Sequence, residues 1–145
     1  MITVTKTVKF DAAHVLTNHN GLCKNLHGHT YRVDVTVAGS PSSPDGMVID
    51  FKDLKNIAIR EICDVFDHAF IYNENSEGER EIAALVQKYS MRTVRLGFRT
   101  TAENLARYFF DKLSAKIPQV HSVRVWETAE SFAECNNIEQ KEEMP

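Results

Sequence analysis

The chain has 145 residues, 43% of them hydrophobic and 26% charged, and a formal net charge of -3. That composition suits one globular domain with a real core and excludes a disordered or fibrous chain. The slightly acidic balance gives no general basic footprint for nucleic acid, so an anionic substrate needs a local basic pocket.

The N-terminal run Met1-Ile2-Thr3-Val4-Thr5-Lys6 lacks the apolar core of a signal peptide. No stretch approaches the roughly eighteen apolar residues that a membrane span requires. Cys23, Cys63 and Cys135 are odd in number and widely spaced, which argues for reduced thiols rather than a disulfide framework. These features predict a cytoplasmic protein with no membrane or nucleic-acid partner.

Ile2, Val4, Val8 and Phe10 alternate in part with threonines and lysines, predicting a half-buried strand over residues 2–12, with His14 directly after it. Residues 16–26 hold Asn18, Asn20 and Gly21 without periodicity, and read as a loop carrying Cys23 toward the next strand. That strand keeps period two, with Tyr31, Val33, Val35 and Val37 on one face and Arg32, Asp34 and Thr36 on the other. Gly39 to Gly46 is turn chemistry throughout. Asp50 then caps a helix in which Leu54, Ile57, Ala58, Ile62, Val65 and Phe66 recur at helical spacing, ending near Asp67-His68.

Residues 73–81 are polar and read as a solvated loop or the exposed start of a helix. Ile82 to Tyr89 then suggests a short helix and Arg92 to Phe98 a short strand. Thr100 followed by Glu103 matches a capping box, opening an amphipathic helix with Leu105, Ala106, Phe109, Phe110 and Leu113 on its apolar face. Val120, Val123 and Val125 lead a strand to Trp126, another strand begins near Phe132, and the tail from Glu139 to Pro145 reads as frayed. The order strand, strand, helix, helix, strand, strand, with an insert between the helices, is α+β.

The chemistry concentrates in Cys23-Lys24-Asn25-Leu26-His27-Gly28-His29. In extended backbone His27 and His29 point to one face and can share a metal, and a hairpin can return His14 beside them. Three neutral imidazoles are a zinc set that leaves one coordination position open. Cys23 has three readings: an inert small hydrophobe, a fourth ligand closing a structural site, or a general base favoured as thiolate by Lys24. Asp67-His68 is either a carboxylate-oriented proton relay or simply a helix C-terminus that favours a histidine. A carboxylate at Glu127 can receive paired N–H donors from a heterocycle, although a surface glutamate at a strand end explains it equally. Glu103 is accounted for by the cap.

Six blocks in order carry a resemblance. They are Phe10 to His14, Cys23 to His29, Gly46 to Phe51, Asp67-His68, Thr101 to Ala106, and Val125 to Thr128. Together they resemble the 6-pyruvoyltetrahydropterin synthase and 6-carboxytetrahydropterin synthase family across most of the chain. The resemblance implies a tunnelling fold: a four-stranded antiparallel sheet with two helices on one face, assembled as a dimer of trimers. It implies zinc on His14, His27 and His29, proton acceptance by Cys23, and assistance from Asp67 and His68. It further implies a pterin anchor at Glu127 with Thr101 and Glu103 nearby.

The three-residue spacing between Cys23 and His27, and Val48-Ile49-Asp50-Phe51 after the turn, look like the bacterial queuosine-pathway branch. That branch converts 7,8-dihydroneopterin triphosphate to 6-carboxytetrahydropterin, acetaldehyde and triphosphate. The pyruvoyl branch and a structural zinc protein are the alternatives. Two departures from the family pattern stand out: Thr100 replaces the usual proline, and residues 74–98 form a longer connection than usual.

Overall fold

In the computed structural model, residues 1–41 and 44–138 are described; Ser42 and Ser43, within the expected turn, and the expected frayed tail 139–145 lie outside them. A six-stranded sheet of order β4-β3-β1-β2-β5-β6 forms the frame. Its long members are β1 (Ile2–His14) and β2 (His27–Gly39), paired antiparallel along their whole length, with β5 (Val120–Trp126) antiparallel to β2 and β6 (Phe132–Asn136) antiparallel to β5. These four are the antiparallel strands expected from the sequence. Two short parallel strands, β3 (Ala69–Asn73) and β4 (Thr93–Leu96), extend the sheet beyond β1.

One sheet face is apolar because the period-two stripes align: Val8 and Phe10 from β1, Tyr31, Val33, Val35 and Val37 from β2, and Val123 and Val125 from β5 are all buried. Over it lie α1 (Phe51–Ala58), continued through a π turn at Ile59–Cys63 into α2 (Asp64–Phe66), and α4 (Ala102–Ser114). Asp50 caps α1 by accepting from the Lys52 amide at 2.7 Å, as its place before the apolar spacing predicts. Leu54, Ala58, Ile62 and Phe66 from the first helical segment meet Leu105, Phe109 and Leu113 from α4 in one core. Full burial of each of these large side chains is worth about 1.5 to 3 kcal/mol. Phe10 sits at the centre, stacked on Tyr31 at 4.9 Å and edge-on to Phe109 at 6.0 Å.

Residues 74–98 form more than a solvated excursion. Helix α3 (Glu77–Lys88) runs between β3 and β4, and its Ala83 joins Val15, Phe70 and Tyr72 in a second core. Since Ala69 and Ile71 belong to the main core, β3 is buried on both faces and α3 covers the face opposite α1 and α4. Glu79, expected at the surface, is 1% exposed.

The capping assignment at α4 also changes. Thr101, not Thr100, is the cap, its hydroxyl accepting from the Asn104 amide at 3.3 Å. Glu103 therefore falls one position short of the box and is exposed, while Thr100 is wholly buried.

The β1–β2 register pairs His14 with His27 and Ala12 with His29, which fixes three imidazoles at one end of the hairpin. Gly28 permits this pairing: a Cβ there would stand 3.1 Å from the Ala12 carbonyl oxygen, and that oxygen is backbone. Gly28→Ala should therefore destabilise the protein by about 1 to 3 kcal/mol, read as a fall of several degrees in a thermal melt.

Candidate metal centre and active site

His14 is the last residue of β1 and is 1% exposed, whereas His27 and His29 open β2 and are half-buried. Their Nε2 atoms converge: His14 to His27 is 3.1 Å and His27 to His29 is 3.1 Å. His14 Nδ1 donates to the Thr100 carbonyl at 2.9 Å, and His27 Nδ1 donates to the Asn25 carbonyl at 2.7 Å. A carbonyl only accepts, so each ring carries a hydrogen on Nδ1, and in the neutral imidazole that ligates a metal the lone pair is then on Nε2. Two lone pairs facing each other at 3.1 Å repel, and a cation between them removes the conflict. Tetrahedral zinc with bonds of about 2.0 to 2.1 Å places its nitrogens about 3.3 Å apart, close to the spacing found. The donor set fits a small divalent metal.

Electrostatics agree with that geometry. Burial, reinforced by the neighbouring His27 and His29 and opposed by the Thr100 carbonyl, pushes His14 down to about 4, so its ring is neutral near pH 7. His29 is lowered by burial first and by His27 second.

Cys23 lies on a 3-10 turn, Leu22–Lys24, and is half-buried. Among the described residues, its thiol does not join the group of ligand atoms lying within 4.8 Å of one another, which consists of the three histidines alone. Its carbonyl accepts from the Leu16 amide at 2.9 Å, closing the loop between β1 and β2 back on its own start.

Glu127 follows β5 directly and approaches His29 at 3.9 Å. Burial holds its carboxyl above the usual range, the charge of Glu103 adds to that rise, and His27 opposes it. The two glutamates expected near a heterocycle are thus close enough to influence each other. Tyr31, edge-on to His29 at 5.3 Å, is raised by burial and by Glu127.

Asp67 and His68 sit where α2 gives way to β3. The Asp67 carboxylate accepts from His68 Nδ1 at 2.9 Å and from the Asp11 amide at 2.9 Å. The Asp11 amide first and His68 second hold it below the ordinary carboxylate value. His68 has φ of +60°, a left-handed conformation, and its own amide donates to the Asp11 carbonyl. In the single chain this pair gathers with Asp11 rather than with the three imidazoles. A cavity of about 550 Å³ between β1, β3 and α3 has both His29 and His68 in its lining, while Cys23, Glu103 and Glu127 lie outside it.

Sequence reasoning missed Thr100 and Asn25, whose carbonyls orient His14 and His27; a backbone acceptor leaves no residue-type signal. It also missed Ser76-Glu77-Gly78-Glu79, which has the Ser-x-x-Glu spacing of a helix start.

A sequence profile described as 6-pyruvoyl tetrahydropterin synthase matches residues 3–138. The chain belongs to this family. It is 45% identical, over 92% of its length and 98% of the relative, to the Haemophilus influenzae protein named 6-carboxy-5,6,7,8-tetrahydropterin synthase. The Aquifex aeolicus protein of the same name is 33% identical over 90% of this chain and 95% of that one. Among solved structures, 6-pyruvoyl tetrahydropterin synthase from Caenorhabditis elegans superposes with a TM-score of 0.71 at 24% identity, covering 94% of this chain and 95% of that one. An uncharacterized Wolinella succinogenes protein gives 0.78 at 24% identity, covering 94% of this chain and 98% of that one. The fold of the synthase family is therefore the fold of this chain.

Proposed function

We propose that this chain is a zinc-dependent 6-carboxy-5,6,7,8-tetrahydropterin synthase, a lyase of queuosine biosynthesis. It would convert 7,8-dihydroneopterin triphosphate to 6-carboxytetrahydropterin, acetaldehyde and triphosphate. The observation that carries the reading is the convergence of three Nε2 atoms, on two of whose rings the Nδ1 hydrogen is held by a backbone carbonyl. The names of the bacterial relatives favour the carboxy product over the pyruvoyl one.

In this reading His14, His27 and His29 hold zinc and leave a coordination position for substrate. The bound ion supplies Lewis acidity, which makes a hydroxyl and the carbon bearing it easier to deprotonate. Cys23 accepts a proton as thiolate, which the exclusion of its sulfur from the histidine group supports. Asp67 keeps His68 oriented through its Nδ1 hydrogen, so the other ring nitrogen is left to exchange a proton. Glu127 receives the paired N–H donors of the pterin ring, with Glu103 and Thr101 beside it.

A homo-oligomer, a dimer of trimers, also belongs to the reading. Among the described residues β3 flanks β1 only at Ala12 and Ala13, so the outer edge of β1 from Ile2 to Val8 has no strand beside it. Such an edge is a template for pairing with a second copy. No helix among the described residues is long and apolar enough to cross a membrane. The three free cysteines suit a cytoplasmic location.

The test is incubation of the zinc-loaded protein with 7,8-dihydroneopterin triphosphate, followed by mass analysis. The carboxy product together with acetaldehyde is expected. The pyruvoyl product would move the chain to the other branch, and neither product would reject the synthase reading.

A further inference from the structure

Helix α3 is hydrogen-bonded to the Cys23 loop at Thr17. The Thr17 hydroxyl donates to Glu79 Oε2 at 2.8 Å, and the Ser76 hydroxyl, 3.1 Å away, donates to Thr17 in turn. From the other side Arg99 Nη2 donates to the Thr17 carbonyl at 3.0 Å. Thr17 is thus held by groups at both ends of the segment that lies between β3 and α4.

Glu79 differs from an ordinary helix-capping glutamate. Its amide donates to the Ser76 hydroxyl, as in a capping box, but its carboxylate does not return to the Ser76 amide, which donates instead to the Asn73 carbonyl. The carboxylate is spent on Thr17 and on the Asn73 amide, at 3.2 Å, and the residue is 1% exposed. A buried carboxylate is costly unless fully hydrogen-bonded. Capping α3 alone does not require this burial, since a solvated glutamate does the same.

The consequence falls on Cys23. Leu16, adjacent to Thr17, donates its amide to the Cys23 carbonyl at 2.9 Å, and the His19 amide returns to the Leu16 carbonyl. Fixing Thr17 therefore fixes the point on which the loop closes. We propose that Glu79 and Thr17 are positioning residues: through them α3 holds the loop of residues 16–23 in the single arrangement that sets the Cys23 thiol. The inference rests on the synthase reading for its catalytic consequence and on these contacts for the brace itself. It gives residues 74–98 a task in the reaction.

Thr17→Val removes the hydroxyl with little change of shape, and Thr17→Ser restores it. In zinc-loaded Thr17→Val, kcat should fall roughly tenfold, with KM and zinc content unchanged. Amide hydrogen exchange of residues 16–23 should quicken by a similar factor. Thr17→Ser should recover both, and Glu79→Gln should reproduce the loss in part. Wild-type exchange in Thr17→Val overturns the brace. Quickened exchange with wild-type kcat overturns its role in positioning. If wild-type protein makes no pterin product, the synthase reading and the catalytic consequence drawn from it both fall, while the exchange measurement still decides the brace.

Discussion

Replacing Cys23 with alanine should abolish most turnover while leaving one zinc per chain and an unchanged melting temperature. The size follows from the role: a positioned proton acceptor contributes roughly 10² to 10⁴ in rate, so kcat should drop by at least about a hundredfold. Retention of metal follows from geometry, because the three converging nitrogens form a group without the sulfur. Retention of stability follows from position, since Cys23 is half-buried on a short turn whose described contact is a backbone bond that alanine preserves. The measurements are steady-state turnover, metal content after dialysis, and a thermal melt. A structural zinc protein predicts the reverse: zinc lost, the melt lowered, and no turnover to lose.

His27→Ala should have the complementary signature. His27 bridges the set, 3.1 Å from each neighbour's Nε2, and its removal leaves two ligands. Altering the groups behind a metal ligand already costs roughly 10- to 100-fold in affinity or activity, so deleting the ligand should exceed that. Zinc should dialyse away and turnover fall to background, while circular dichroism retains the sheet, because the strand pairing of β1 and β2 runs for many residues beyond this end. A variant that keeps stoichiometric zinc and activity would remove His27 from the ligand set.

Strand β2 and both core helices were legible because each carries a clean period, and β1 and β5 because their apolar positions alternate in part. Tyr31 to Val37 alternates without exception, and Leu105, Phe109 and Leu113 repeat at helical spacing. His27-Gly28-His29 was legible because extended backbone puts alternate side chains on one face, and the structure places these residues in β2. By contrast β3, with Ala69 to Tyr72 all buried, has no alternation to read, because helices cover both its faces. The cap of α4 was misplaced by one residue because Thr100 and Thr101 are equally good cap residues. The choice was made by tertiary structure: the carbonyl of Thr100 is engaged by a histidine 86 positions away in sequence. The burial of Glu79 was invisible for the same reason, since its partner Thr17 is 62 residues distant.

The hairpin that carries the histidines has one more property. Its partners are set residue by residue, His14 opposite His27 and Phe10 opposite Tyr31, and side chains alternate between faces. Were β2 to slide by a single residue, the stripe of Tyr31, Val33, Val35 and Val37 would meet solvent, and His27 and His29 would turn away from His14. Both the core and the imidazole triad thus reward the same alignment, one along the strands and the other at their end. A misaligned hairpin would forfeit the triad as well as the core, so the ability to gather three nitrogens acts as a check on whether the two strands have been threaded correctly.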